Sequence, residues 1–102
     1  MFIEKLTDED IKQLMSKFVR KAKLIEIERQ ERCICVSYAT KEFDIVAIIE
    51  NFDVHVFAAG FDTTSPKTTR LFKLFMLEKF GDEYKQAFNE NLRKKYESEM
   101  IK

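Results

Sequence analysis

Residues 24–38, LIEIERQERCICVSY, decide how this chain folds, because the spacing of apolar residues changes there. Ile25 and Ile27 alternate with Glu26 and Glu28, and Ile34, Val36 and Tyr38 alternate with Cys33, Cys35 and Ser37. Successive side chains of extended backbone point to opposite faces, so alternation of this kind marks half-buried strands. The polar stretch 29–31 between the two runs reads as a turn. It lacks the Asn-Gly or Asp-Gly pair of a tight hairpin, which leaves the register of the two strands open. A rival reading carries the preceding helix on through Glu31.

Upstream the spacing is helical. Thr7 is placed to cap a helix, Asp10 sits at the capping-box position, and Leu6 with Ile11 forms a hydrophobic staple. Asp8, Glu9 and Asp10 lie at the positive end of the helix dipole, with Arg20, Lys21 and Lys23 at the negative end. Ile11, Leu14, Met15, Phe18, Val19 and Ala22 share one arc, which predicts an amphipathic helix over 8–23.

Downstream, FDIVAII within 42–49 and VHVFAA over 54–59 predict a third and a fourth strand around a turn at 50–53. Short connections between consecutive strands favour an antiparallel meander. Residues 60–65 lead out, and Ser65-Pro66 supplies an N-cap and a first-turn proline for a second helix that stops at Gly81. Asp82 caps a third helix through about Met100. The expected architecture is one α+β domain over 1–102, a helix, a four-stranded antiparallel meander and two C-terminal helices (αββββαα), with the helices on one face of the sheet.

The second helix, SPKTTRLFKLFMLEKFG over 65–81, is apolar on every side. Leu71 and Phe75 share one side, Phe72, Met76 and Phe80 a second, and Leu74 and Leu77 a third. Covering a sheet needs only one such stripe. The third helix carries Tyr84, Phe88, Leu92, Tyr96 and Met100, a strict spacing of four that drifts around a straight helix. Packed as an αα-corner, it hides one of those extra sides, so coverage within the chain is the first reading of the surplus, and a surface reserved for a second copy or another protein is the alternative.

Composition narrows the function classes. Acidic and basic residues balance at 18 each, so no whole-molecule field steers the chain to nucleic acid or membrane. With two Gly and one Pro, loop-built active sites and flexible linkers are disfavoured. The start MFIEKLTDED lacks the basic and apolar regions of a signal peptide, and no apolar run approaches the length of a membrane span. Two cysteines with no disulfide framework fit a reducing, cytoplasmic setting.

Chemistry-bearing groups are sparse. Cys33 and Cys35 share a strand face, and His55 is the sole histidine. The two thiols reach His55 only if the second and fourth strands are neighbours, which a meander forbids, so neither a metal site nor a Cys-His pair is expected. His55 points away from the face of Val54 and Val56 and reads as an exposed or hydrogen-bonded sheet residue. Asp44, Glu50, Asp53 and Asp62 form a local acidic excess without calcium-loop spacing. No cofactor is implied.

Three functions remain. The first is a non-enzymatic protein-interaction module, an inhibitor or adaptor acting by surface occupation, with Leu71, Phe72, Phe75, Met76 and Phe80 as candidate anchors. Its small, motif-poor character fits, among others, a mobile-element or phage inhibitor of a host defence enzyme. The second is nucleic-acid binding through Lys17, Arg20, Lys21 and Lys23, then Lys67, Arg70 and Lys73, then Arg93, Lys94 and Lys95. The helix pair around Gly81 has helix-turn-helix spacing, but Asp82-Glu83 at its second helix would repel phosphates. The third is anion or small-ligand binding in the 62–70 loop by Thr63, Thr64, Ser65, Lys67 and Arg70.

Overall fold

Thr7 opens the first helix as its side chain predicts. In the computed structural model, which describes residues 1–101, Thr7 Oγ1 accepts the Asp10 N–H at 3.1 Å and the Asp10 carboxylate accepts the Thr7 N–H at 2.9 Å. Helix α1 (Asp8–Met15) buries Ile11, Leu14 and Met15, and Leu6 of the staple is buried in the same core. A short 3-10 turn, Ile3–Lys5, precedes it.

α1 ends eight residues before Lys23, where the arc 8–23 would have carried it. The first strand already begins at Lys23, so the chain must reverse between the two elements, passing through Lys21 at φ 55°. Phe18, Val19 and Ala22 still pack on the core, from an irregular connection. Their spacing reported burial correctly and conformation wrongly. The rival reading of a helix through Glu31 fails for the same reason, since Lys23–Arg29 form a strand.

The sheet is an antiparallel meander in the order β1-β2-β3-β4-β5, built from β1 (Lys23–Arg29), β2 (Ile34–Ala39), β3 (Asp44–Ile49), β4 (Val54–Ala58) and β5 (Phe61–Asp62). Its first four strands are those expected; the fifth is not. Ala59 leaves the fourth strand and joins Gly60 in a two-residue turn, with φ 53° and 82°, that pairs Ala58 with Phe61. Positive φ at both central residues is the geometry of a type I′ hairpin. The Ala-Gly pair is a weak signal for it, so β5 is hard to foresee.

A bulge in β1 corrects the alternation of Ile25 with Ile27. The register shifts between Leu24, opposite Tyr38, and Glu26, opposite Ser37. Leu24 and Ile27 face the core, whereas Ile25 turns out with Glu26 and is 59% exposed.

α2 (Pro66–Phe80) and α3 (Asp82–Ile101) complete the fold, joined by Gly81 alone at φ 68°. Ile34, Val36 and Tyr38 of β2, Ala47 and Ile49 of β3, and Val54 and Val56 of β4 lie on one sheet face. They share a single buried cluster with Leu14 of α1, Phe72 and Met76 of α2, and Tyr84 of α3. All the helices therefore pack on that face. At one end Phe2, Phe52, Phe80, Tyr84 and Phe88 form an aromatic group with centroids 5.0–6.1 Å apart. Beyond it α3 runs free, and the molecule extends to 46 × 29 × 25 Å.

Candidate functional site

The face of the sheet opposite the helices is uncovered among the described residues. Register places three cross-strand rows on it: Glu28–Cys35–Ile48–His55, Glu26–Ser37–Val46–Phe57–Asp62 and the shorter Lys23–Ala39–Asp44. Cys35, Val46, Ile48 and Phe57 are half-exposed, and none packs against the buried core. The two longer rows have an apolar centre and an acidic end on β1, whereas the third begins there with Lys23. Ile25 adds apolar area beside Glu26, through the bulge. Asp44, Asp62, Glu50 and Asp53 complete an acidic border, so the acidic excess seen in the sequence gathers around this face rather than at one point.

His55 takes the place expected for it, at the end of the first row. Its Nε2 lies 3.1 Å from Asp53 Oδ2 and 4.0 Å from Glu50 Oε1. β3 separates it from the thiols, placing Cys35 and His55 two strand spacings apart, about 9–10 Å. Burial, then the neighbouring Cys33 and Glu28, pushes the Cys35 thiol above its ordinary value, which disfavours the nucleophilic thiolate. Cys33 Sγ donates to Gln30 Oε1 at 3.4 Å. Among the described residues no group of three His, Cys, Asp or Glu side chains could hold a metal ion.

The proposed anchors of α2 divide. Phe72 and Met76 are 1% and 0% exposed and belong to the core, so neither can meet a partner. Phe75 and Phe80 pack half-buried against that core, and Leu71 is half-buried as well. Only Leu74, on the third side, projects into solvent. α2 is apolar all round because the sheet, α1 and α3 cover most of its circumference. Its surplus is internal.

The hydroxyls of the 62–70 loop are engaged within the chain itself. Thr64 Oγ1 accepts the Val56 N–H at 2.8 Å, Thr63 Oγ1 donates to the Val56 carbonyl at 3.0 Å, and Ser65 Oγ accepts the Thr68 N–H at 3.2 Å. The Asp62 carboxylate already accepts the Thr64 N–H, and the Thr64 side chain first, then that N–H, lowers its pKa. These residues fasten the loop to β4 and cap α2. Lys67 and Arg70 are exposed on the first turns of α2.

The basic clusters fall on three separate elements. Lys17, Arg20 and Lys21 lie in the α1–β1 connection, with Lys23 starting β1. Lys73 of α2 sits 4.2 Å from the centroid of the Phe88 ring. On α3, Arg93 pairs with Glu97 and Lys94 with Glu90, each at 3.8 Å. The one-residue corner at Gly81 is shorter than the roughly three- or four-residue turn of a helix-turn-helix, which removes that likeness.

A second open feature escaped the sequence reading. A groove of about 790 Å³ runs at the foot of the free half of α3, lined by Phe88, Leu92 and Lys95 together with Arg32, Asn51 and Phe52 of the strand turns. Its charges are mixed and converge on no reacting position. No described helix is long and apolar enough to cross a membrane. Compared with family models, with curated proteins and with solved structures, the chain matches none.

Proposed function

We propose that this chain is a non-enzymatic protein-interaction module, an inhibitor or adaptor, that acts by laying the open face of its sheet on a partner protein. The observation that carries this reading is the one-sided packing of the fold: every helix covers one face, and the other presents Cys35, Val46, Ile48 and Phe57 inside an acidic border. A half-exposed apolar centre with a charged rim is the anatomy of a protein interface. Glu26, Glu28, Asp44 and Asp62 outnumber Lys23 on the rim, so the complementary partner carries an apolar patch within a mainly basic border. The rim would steer association and the apolar centre would hold the complex.

Substitution on the open face tests this without disturbing the core. Val46→Lys and Phe57→Lys are expected to keep the circular-dichroism melt of the parent yet abolish retention of its partner in affinity capture with cross-link mapping. A Leu74→Ser control on α2 should leave capture intact. Glu26→Lys with Glu28→Lys should slow association and flatten its salt dependence. A retained partner that is indifferent to Val46 and Phe57 but lost with Leu74 would move the interface to α2 and overturn the proposal.

A further inference from the structure

We propose that the free half of α3 pairs antiparallel with α3 of a second copy of this chain, about a two-fold axis at Tyr96. The stripe of apolar residues on this helix leaves the core by degrees. Tyr84 is 0% exposed, Phe88 is half-buried, and Leu92, Tyr96 and Met100 are 39%, 59% and 84% exposed. The stripe continues with unchanged spacing where the body no longer covers it.

The flanking charges select the occupant. Arg93, Lys94 and Lys95 precede Tyr96, and Glu97 and Glu99 follow it. At roughly 100° per residue, Arg93 and Glu97 border the stripe on one side, Lys95 and Glu99 on the other. An antiparallel two-fold sets each border against the same border of the partner, running the opposite way. Arg93 then lies beside the partner's Glu97, and Lys95 beside the partner's Glu99, each offset by about two residues, or 3 Å, along the axis. Leu92 meets the partner's Met100, and the two Tyr96 rings meet at the centre. A parallel pair would face one border with the other, bringing Arg93 against the partner's Lys95 and Glu97 against the partner's Glu99. Opposite charges at that offset outnumber like ones in the antiparallel pair, where Glu97 and Lys95 also meet their own copies. The balance reverses in the parallel pair, where Glu97 alone gains the partner's Lys95.

The surrounding structure accommodates that arrangement. Arg93 and Glu97 of one chain already lie 3.8 Å apart, so pairing would close a four-charge cluster of alternating sign. The groove beside Phe88 and Leu92 opens where the tip of the partner's helix arrives. Each body sits at the Tyr84 end of its own α3, so the antiparallel pair holds the bodies at opposite ends. Contact over about two helical turns is a small interface, and dissociation on the order of 10 μM is expected.

Sedimentation or light scattering from about 1 μM to 500 μM, a range chosen to bracket that affinity, should show the mass rising to that of a dimer. Arg93→Glu and Glu97→Arg, each alone, place like charges at both symmetry-related contacts and should weaken association at least about tenfold. An equimolar mixture of the two variants should recover the dimer, because each altered side chain then meets its opposite in the partner. A change confined to one chain's own helix cannot be rescued by mixing. A parent that stays monomeric throughout overturns the proposal. So does a dimer that neither substitution weakens, which would assign association to another surface, or a mixture that fails to recover.

Discussion

Asn51 joins three parts of the molecule through two oxygens. Its side-chain Oδ1 accepts the N–H groups of Phe2 and Ile3 at 2.8 and 3.0 Å, and its backbone carbonyl accepts the Tyr84 hydroxyl at 3.0 Å. Asn51→Ala should cost about 2 kcal/mol in urea unfolding, because two partly buried donors lose their acceptor. Asn51→Asp keeps an acceptor and should retain most of that stability at neutral pH. Asp10 makes a second long-range tie, to Lys79 Nζ at 2.9 Å. The Thr7 N–H first, and Lys79 next, hold its carboxyl below the usual aspartate value. A folded pKa below the unfolded one means the stabilisation is present above about pH 4 and drains away as pH falls through the carboxylate range. Asp10→Asn should therefore flatten the acid side of the stability-against-pH curve, and an unchanged slope would remove Asp10 from that role. The capping box was readable because Thr7 and Asp10 are three residues apart. Asn51 read only as a turn residue, since its acceptor role depends on donors 48 and 49 residues away.

Elements were legible where local spacing and local conformation agree, as in β2, β3, β4, α2 and α3. They misled where burial outlasts helical geometry, at Phe18, Val19 and Ala22, and where one extra residue breaks alternation, at Ile25. The β4–β5 hairpin had the faintest sign, because Ala59 is an unusual occupant of positive φ. That gives a direct prediction. Ala59→Asn relieves the strain at φ 53° and should raise stability by about 0.5–1 kcal/mol, read as a higher urea midpoint at unchanged slope. The candidate surfaces were hidden for a related reason. Periodicity identified the residues opposite the core face of β2 and, at His55, of β4, but it could not say that every helix would choose one side. Nor could it separate an apolar helix that is surrounded, as α2 is, from one that awaits a partner.

At the scale of the whole molecule, folding and association are assigned to different ends of one helix. Through Phe88, α3 belongs to the aromatic group around Tyr84; from Asn89 to Met100 every residue is exposed. An exposed helical extension draws its stability from the helix it continues and lends little back, since most helix stability in proteins comes from packing. A chain ending at Asn89 should therefore unfold within about 1 kcal/mol of the parent in urea, with the same slope, because almost no buried surface is removed. The same truncation deletes Leu92, Tyr96, Met100 and their flanking charges, and it should leave a monomer at every concentration. Partner capture through Val46 and Phe57 should survive it, because the open sheet face lies on the side of the sheet away from the helices. A loss of several kcal/mol would instead make the extension part of the fold. Loss of partner capture together with self-association would mean that the two surfaces work as one.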